Sequence, residues 1–252
     1  MNKMIIGDRI TKSFGERQEQ QNVLDEVSVE IDEGEFVAIM GPSGSGKSTL
    51  MFALSGMDRV NSGTVVFKNK NLAEMDEKEL SEIRRTKMGF VFQQPTMLKN
   101  LTIFDNIILP VMRNQRKNTE NITEKARALM KRVGIEAISN YDITQVSGGQ
   151  LQRAGICRAL MNDPQIIFGD EPTGALNSQT AQEILSIFSE INEEGTTIVL
   201  VTHDVKVAAQ TKRILYMRDG KIVQELKLPK YNGTNLESRM EQVTKEMMHL
   251  GI

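Results

Sequence analysis

Two hydrophobic periods alternate along the chain. The runs "FVAIM" (36–40), "IIF" (166–168) and "TIVLVT" (197–202) are apolar almost throughout. They predict strands buried on both faces of a parallel sheet. Shorter strand patterns stand at "VSVEI" (27–31), "TVVF" (64–67) and "GFVF" (89–92). "ILYMRDGKIVQEL" (214–226) predicts a hairpin whose turn is Asp219-Gly220. Helical spacing recurs at 47–54, 77–86, 103–113, 120–133, 150–161, 178–193 and 235–250. Strands and helices alternate at both ends of the chain, which predicts an α/β fold. The middle is poor in strand signals. The expected organisation is a single domain over 1–252: the first part of an α/β core (1–93), an inserted helical subdomain (94–162), the rest of the core (163–226) and a helical tail (227–252).

Composition narrows the function classes. The chain has 252 residues, 39% of them hydrophobic, enough for one large domain. Its net charge of -2 provides no basic field for nucleic acid. One cysteine, Cys157, excludes an internal disulfide framework and a CxxC metal site. No run approaches the roughly 20 apolar residues of a membrane span, and the start carries no segment long enough for a signal peptide. The expectation is a chain that does not cross a membrane itself.

The most specific chemistry lies at "FVAIMGPSGSGKSTLMFAL". Gly41, Pro42, Ser43, Gly44, Ser45, Gly46, Lys47, Ser48 and Thr49 follow a strand and open a helix, the context of a P-loop. Its amides curl around phosphates, and the helix N-terminus adds positive potential. Lys47 is placed for the β- and γ-phosphates, and Ser48 for Mg²⁺. This motif leaves kinase, GTPase, motor and transporter ATPase open. A second signal is the pair Asp170-Glu171 at the end of an apolar run. Asp170 suits Mg²⁺ and Glu171 suits polarising an attacking water, against the alternative of two solvated acids. A third is "QVSGGQLQRAGICRALMNDP". Ser147, Gly148, Gly149 and Gln150 head a helix with Leu151, Ile156, Ala159 and Leu160 at core-like spacing. They form a second anion site, or an ordinary helix cap. Because the P-loop already cradles one nucleotide, a second site would serve a nucleotide held by another molecule.

In order and spacing, "GPSGSGKST", "SGGQ" and "IIFGDEPTGAL" resemble the ATP-binding-cassette (ABC) ATPases from about Ile5 to Leu226. The resemblance implies a RecA-like P-loop NTPase core with an N-terminal antiparallel β subdomain and an α-helical signature subdomain. It implies ATP and Mg²⁺ as ligands. It also implies a dimer of two copies sandwiching two ATP, and a membrane permease on another chain driven from the cytoplasmic face. Position by position, Phe14 matches the aromatic that stacks on adenine, Gln93 the glutamine at Mg²⁺ and the water, and His203 the switch histidine at the γ-phosphate. Each has a plainer alternative: a buried strand aromatic, a loop amide and a structural histidine. "GMDRVNSG", "LTIFDNIILP" and "DEPTGAL" resemble bacterial macrolide-export, lipoprotein-release, cell-division and antimicrobial-peptide-resistance ATPases. The alternative class, a soluble DNA-repair or ribosome-associated ABC ATPase, carries long coiled coils or two cassettes, neither of which is present in the sequence.

Three positions depart from the family pattern: Val146 for Leu, Gly169 for Ala, and Asn177 for Asp. Asn caps helices about as well as Asp, so the last change is expected to keep geometry while removing a charge. Two apolar groups stay open between core and interface. Met97, Leu98 and Leu101 suit permease docking or the subdomain's own core. Leu236, Met240, Val243, Met247 and Leu250 share one face of the tail helix, with Thr234 or Asn235 as its cap. That stripe suits packing on its own domain or contact with a partner.

Overall fold

The computed structural model describes residues 2–15, 21–112 and 119–252. Among these, ten strands form two sheets. An antiparallel sheet has the order β2-β1-β4-β5, with β1 Lys3–Phe14, β2 Gln21–Asp32, β4 Ser62–Phe67 and β5 Lys70–Asn71. A larger sheet has the order β10-β9-β3-β8-β7-β6: β3 Phe36–Met40, β6 Met88–Phe92, β7 Ile166–Asp170, β8 Thr197–Val201, β9 Arg213–Arg218 and β10 Lys221–Lys227. The five strands from β9 to β6 run parallel, and β10 returns antiparallel to β9. The helices are α1 Lys47–Leu54, α2 Glu77–Lys87, α3 Ile103–Met112, α4 Thr119–Arg132, α5 Gly148–Leu160, α6 Ser178–Glu193, α7 Val205–Ala208 and α8 Leu236–Leu250.

Strand alternation explains the layers. Val37 and Ile39 of β3, Ile166 and Phe168 of β7, and Val199 and Val201 of β8 face one way, against α1 and the antiparallel sheet. Phe36, Ile167, Ile198 and Leu200 face the other way, against α3–α6. Ala38, Met40, Ile214 and Tyr216 continue that second face under α7 and α8. Both faces of the parallel strands are therefore covered, as their unbroken apolar runs predict.

The hairpin turn is as predicted: Asp219 and Gly220 both have positive φ, 50° and 76°, the signature of a type I′ turn. β1 was not predicted, and β2 is longer than 27–31. The reason is local. The β1–β2 register shifts between Gly7 and Ile10, with Arg9 at φ 45° and Glu26 at φ 49°. These irregularities break the two-residue period that a strand pattern needs. The last residue of the predicted helix 103–113 lies outside the described residues. Asn235 precedes α8 in a left-handed conformation and makes no side-chain cap, while the Thr234 hydroxyl bonds Asn232, so neither caps the tail helix through its side chain.

The tail stripe packs on its own domain. Val243 is fully buried, and Leu236, Met240, Met247 and Leu250 join the cluster around Tyr216. Arg239 reaches inward from the same helix to the carbonyls of Ala209, Thr211 and Pro229. Met97 lies in the core beside Ile103 and Ile107, whereas Leu98 is 49% exposed.

Candidate functional site

Every candidate from the core stands at or just past the C-terminal end of a parallel strand. β3 leads into the Gly41–Thr49 loop, β8 into Thr202 and His203, β7 ends on Asp170, and β6 hands over to Gln93. The order β3-β8-β7-β6 sets these ends side by side. Crevices beyond the carboxyl ends of such strands are where open α/β sheets bind ligands.

The Gly41–Thr49 loop turns into α1 at Gly46, the N-cap, whose φ of 95° is a left-handed conformation that a side chain would strain. A Cβ there would also lie 2.6 Å from the Val23 carbonyl oxygen. The Lys47 ammonium folds back under the loop and donates to the carbonyls of Gly41 at 2.9 Å and Pro42 at 2.8 Å. Burial lowers its pKa, opposed by the negative charges of Glu171 and Asp170. A cation partly stripped of water in this way gains from an incoming anion. Ser45 is buried in the same loop, and its Oγ has no hydrogen-bond partner among the described residues.

Ser48 Oγ donates to Asp170 Oδ1 at 2.9 Å. Burial raises the Asp170 pKa. The Ser48 bond opposes that, Glu171 adds to it, and Lys47 again opposes it. Glu171 turns the chain sharply, with φ 45°, while its N–H donates to Val201 O and its carbonyl accepts from Gly174 N, both at 2.9 Å. Its carboxylate meets the ring of His203, Nδ1 to Oε1, at 3.0 Å. A Cβ on Gly174 would lie 2.9 Å from Gln93 Nε2 and 3.3 Å from Glu171 Oε2, so the amide and the carboxylate converge on that glycine. Lys47, Ser48, Asp170, Glu171, His203 and Gln93 thus form one constellation.

The other candidates stand on other elements. Phe14 ends β1 and is 50% exposed, so the alternative of a buried strand aromatic does not hold. The Lys12 ammonium sits 5.0 Å from its ring centroid, fixed by bonds to Asp58 Oδ1 and the Arg59 carbonyl. Ser147 caps α5 reciprocally: its Oγ accepts from Gln150 N at 3.3 Å, and Gln150 Oε1 accepts from Ser147 N at 2.9 Å. The cap uses the Ser147 oxygen as acceptor, so its O–H remains a donor. Gly148 and Gly149, in the first helical turn, have no intrahelical acceptor for their amides. The turn abuts the start of α6: Leu176 lies beside Gly148 and Thr180 beside Gly149.

Asn177 caps α6, its side chain accepting from Thr180 N at 2.9 Å, as its residue type predicts. A Cβ on Gly169 would come within 2.5 Å of Leu200 Cδ2, a side-chain methyl that would have to move to admit it. Sequence reasoning missed Lys12, Gln152 and Arg158. The last two lie on α5, Gln152 only 1% exposed. A glutamine on the inward face of an amphipathic helix was the available signal.

Residues 24–174 match a family described as ABC transporter. The chain is 43% identical over 229 residues to the uncharacterized ABC transporter ATP-binding protein MJ0796 of Methanocaldococcus jannaschii, spanning 89% of this chain and 97% of that protein. It is 39% identical over 231 residues to the macrolide export ATP-binding/permease protein MacB of Mannheimia succiniciproducens. That alignment spans 91% of this chain and 36% of the MacB protein, about a third of its length. Among solved structures, the dimeric post-hydrolysis state of the MJ0796 cassette bound to ADP and phosphate matches with a TM-score of 0.84 and 40% identity, over 90% of this chain and 100% of that one.

Proposed function

The chain belongs to the ABC transporter family, and from that premise we propose that it is one of two identical ATPase subunits that close around two ATP molecules and drive a membrane permease carried on another chain. ATP binding and hydrolysis come with the family. The observation that carries the residue roles is the Ser48–Asp170 bond, which joins the phosphate loop to the end of β7 beside Glu171.

In this reading the loop amides from Gly41 to Thr49 wrap the phosphates, Lys47 turns its charge toward the β- and γ-phosphates, and Phe14 offers its exposed ring to adenine. Ser48 and Asp170 are two hard oxygen donors on facing elements, and Gln93 adds a third. Among the described residues no cluster of three or more His, Cys, Asp or Glu offers an all-protein cage. That donor set fits Mg²⁺, which keeps waters and takes few protein ligands beside substrate phosphates. Bound there, Mg²⁺ supplies neutralisation of the phosphate charge. Glu171 accepts a proton from the attacking water. His203 and Gln93 hold the carboxylate and the water in line with the γ-phosphate. Catalysis is then positioning and electrostatics.

Ser147, with the first-turn amides of Gly148 and Gly149 and the capping Gln150, serves the nucleotide of the second copy. A donor turn at a helix N-terminus suits the γ-phosphate. The division of labour follows the expected segments: core over 1–93 and 163–226, signature helices over 94–162, and a tail over 227–252. The permease docks on the exposed side of the signature segment. Leu98 is exposed there, and a groove of about 250 Å³ is lined by Met57, Phe90, Phe92 and Pro110 together with Arg84, Arg85 and Arg158. Met97, buried in the core, takes no part. No helix among the described residues is long and apolar enough to cross a membrane, which suits a subunit held at the cytoplasmic face through its permease. Macrolide export is the transport activity named by the MacB relative. It supports export as the direction, and antimicrobial-peptide resistance is a narrower version of the same reading.

Two variants test the arrangement. Lys47→Ala should lose ATP binding outright. Ser147→Arg should bind ATP as a monomer and fail to form the ATP-dependent dimer. Equal loss of binding in both would overturn a second site acting in trans.

A further inference from the structure

Gln93 begins a short loop whose two ends are both held by one helix. The Gln152 side chain, buried on α5, donates from Nε2 to the Phe92 carbonyl at 3.0 Å. That carbonyl belongs to the peptide group whose nitrogen is Gln93, so the bond fixes the plane from which Gln93 departs. At the other end, Arg158 donates from Nη1 to the Thr96 carbonyl and lies 3.5 Å from Met97 Sδ. Between the two, Pro95 rests against Gly155. Residues 152, 155 and 158 recur every three positions and lie along one side of the helix. Beyond the loop, Asn106 secures the chain again, accepting from Leu98 N and donating to Leu98 O and Leu101 O.

The chemistry of the anchors is telling. Gln152 spends a buried amide on a carbonyl at the end of β6, where no further strand residue extends the ladder. Burial lowers the Arg158 pKa. Polar groups kept inside a helix–loop contact at such cost act on geometry. The same helix is capped by Ser147, so a displacement of its N-terminal turn would carry the anchors with it.

We propose that Gln152 and Arg158 are positioning residues for Gln93: α5 clamps the loop at Phe92 and Thr96 and thereby sets where the Gln93 amide points. This rests on the reading of Gln93 as the group at the water and Mg²⁺. The clamp governs turnover without touching nucleotide.

The test is a double-mutant cycle on the full chain, reading kcat, KM for ATP and melting temperature. Gln152→Met keeps the shape and removes the donor. It should lower kcat by about tenfold to a hundredfold, the scale of a loss from misplacing a reacting group by about 1 Å. KM should stay within about twofold, since the phosphate loop is untouched. In a Gln93→Ala background the same substitution should cost no further kcat, because the group it positions is gone. Arg158→Met should behave likewise, and Arg158→Lys, which retains a donor toward Thr96, should recover most of the loss. The Arg158 pair carries the test if Gln152→Met does not fold. The clamp is overturned if Gln93→Ala abolishes turnover while Gln152→Met and Arg158→Met leave it intact. It is equally overturned if the losses persist undiminished in the Gln93→Ala background. Unchanged kcat in Gln93→Ala alone overturns the reading of Gln93 itself, and the clamp with it.

Discussion

Replacing Arg239 by Met tests how the C-terminal helix is held. Arg239 is 6% exposed, and its guanidinium donates to Ala209 O at 2.5 Å, Thr211 O at 2.8 Å and Pro229 O at 2.8 Å. It also stacks 5.4 Å from the Tyr231 ring centroid. Burial lowers its pKa, so the charge is held at some cost. Methionine keeps most of the aliphatic stem but supplies no donor. Ala209 and Thr211 are buried, whereas Pro229 is exposed and can be rehydrated. Two orphaned buried carbonyls at roughly 1–3 kcal/mol each, less the recovered desolvation of the guanidinium, give a loss of about 3 kcal/mol. For a chain of this size that lowers Tm by about 6–12 °C. The assay is thermal unfolding followed by circular dichroism, with nucleotide affinity measured below the transition. Affinity should hold, because the phosphate loop, Asp170 and Glu171 lie on other elements. A Tm within about 2 °C of the parent would refute the reasoning, since it would mean that the apolar stripe around Val243 holds α8 without the arginine.

Two further outcomes follow from the site. Asn177→Asp should leave Tm within about 2 °C, since both residues cap α6 through Thr180 N, while basal turnover changes by a modest factor; marked destabilisation in a melt would show a packing role for the amide. Asp170→Asn should raise the stability of the nucleotide-free protein at pH 7. The Asp170 pKa in the fold lies above its ordinary 3.8, so the group's stabilisation is complete below that value and is lost as pH rises through the folded pKa. The gain should shrink toward pH 4, and urea titrations at both pH values in which the Asn protein is the weaker at pH 7 would contradict the account.

Sequence and structure agree most closely where the physics is local. The Gly41–Thr49 loop, the Asp219-Gly220 turn and the Asn177 cap depend on residues within a few positions of one another. The buried parallel strands are legible because both faces demand apolar side chains. β1 was lost where a bulge at Arg9 interrupts the strand period. What could not be read depends on partners far along the chain. Gln152 is 60 residues from Phe92, Lys12 is 46 from Asp58, and Arg239 is 28 from Thr211. Each is a polar side chain whose sequence neighbourhood predicts exposure, and each is held inward by a backbone carbonyl or carboxylate that only the fold brings near. The division between core and interface was open for the same reason: Met97 and Leu98 are adjacent and equally apolar, yet only Met97 faces the core packed around Ile103 and Ile107.

In the proposed mechanism, Glu171 activates water beside a metal-holding Asp170. Glu171→Gln removes the proton acceptor and leaves the Ser48–Asp170 pair and the phosphate loop in place. Steady-state ATPase activity, read together with size-exclusion chromatography in ATP and Mg²⁺, tests this most directly. Retained ATP binding, almost no turnover and accumulation of an ATP-trapped dimer are expected. Turnover near that of the parent protein, with no trapped dimer, would contradict this role of Glu171.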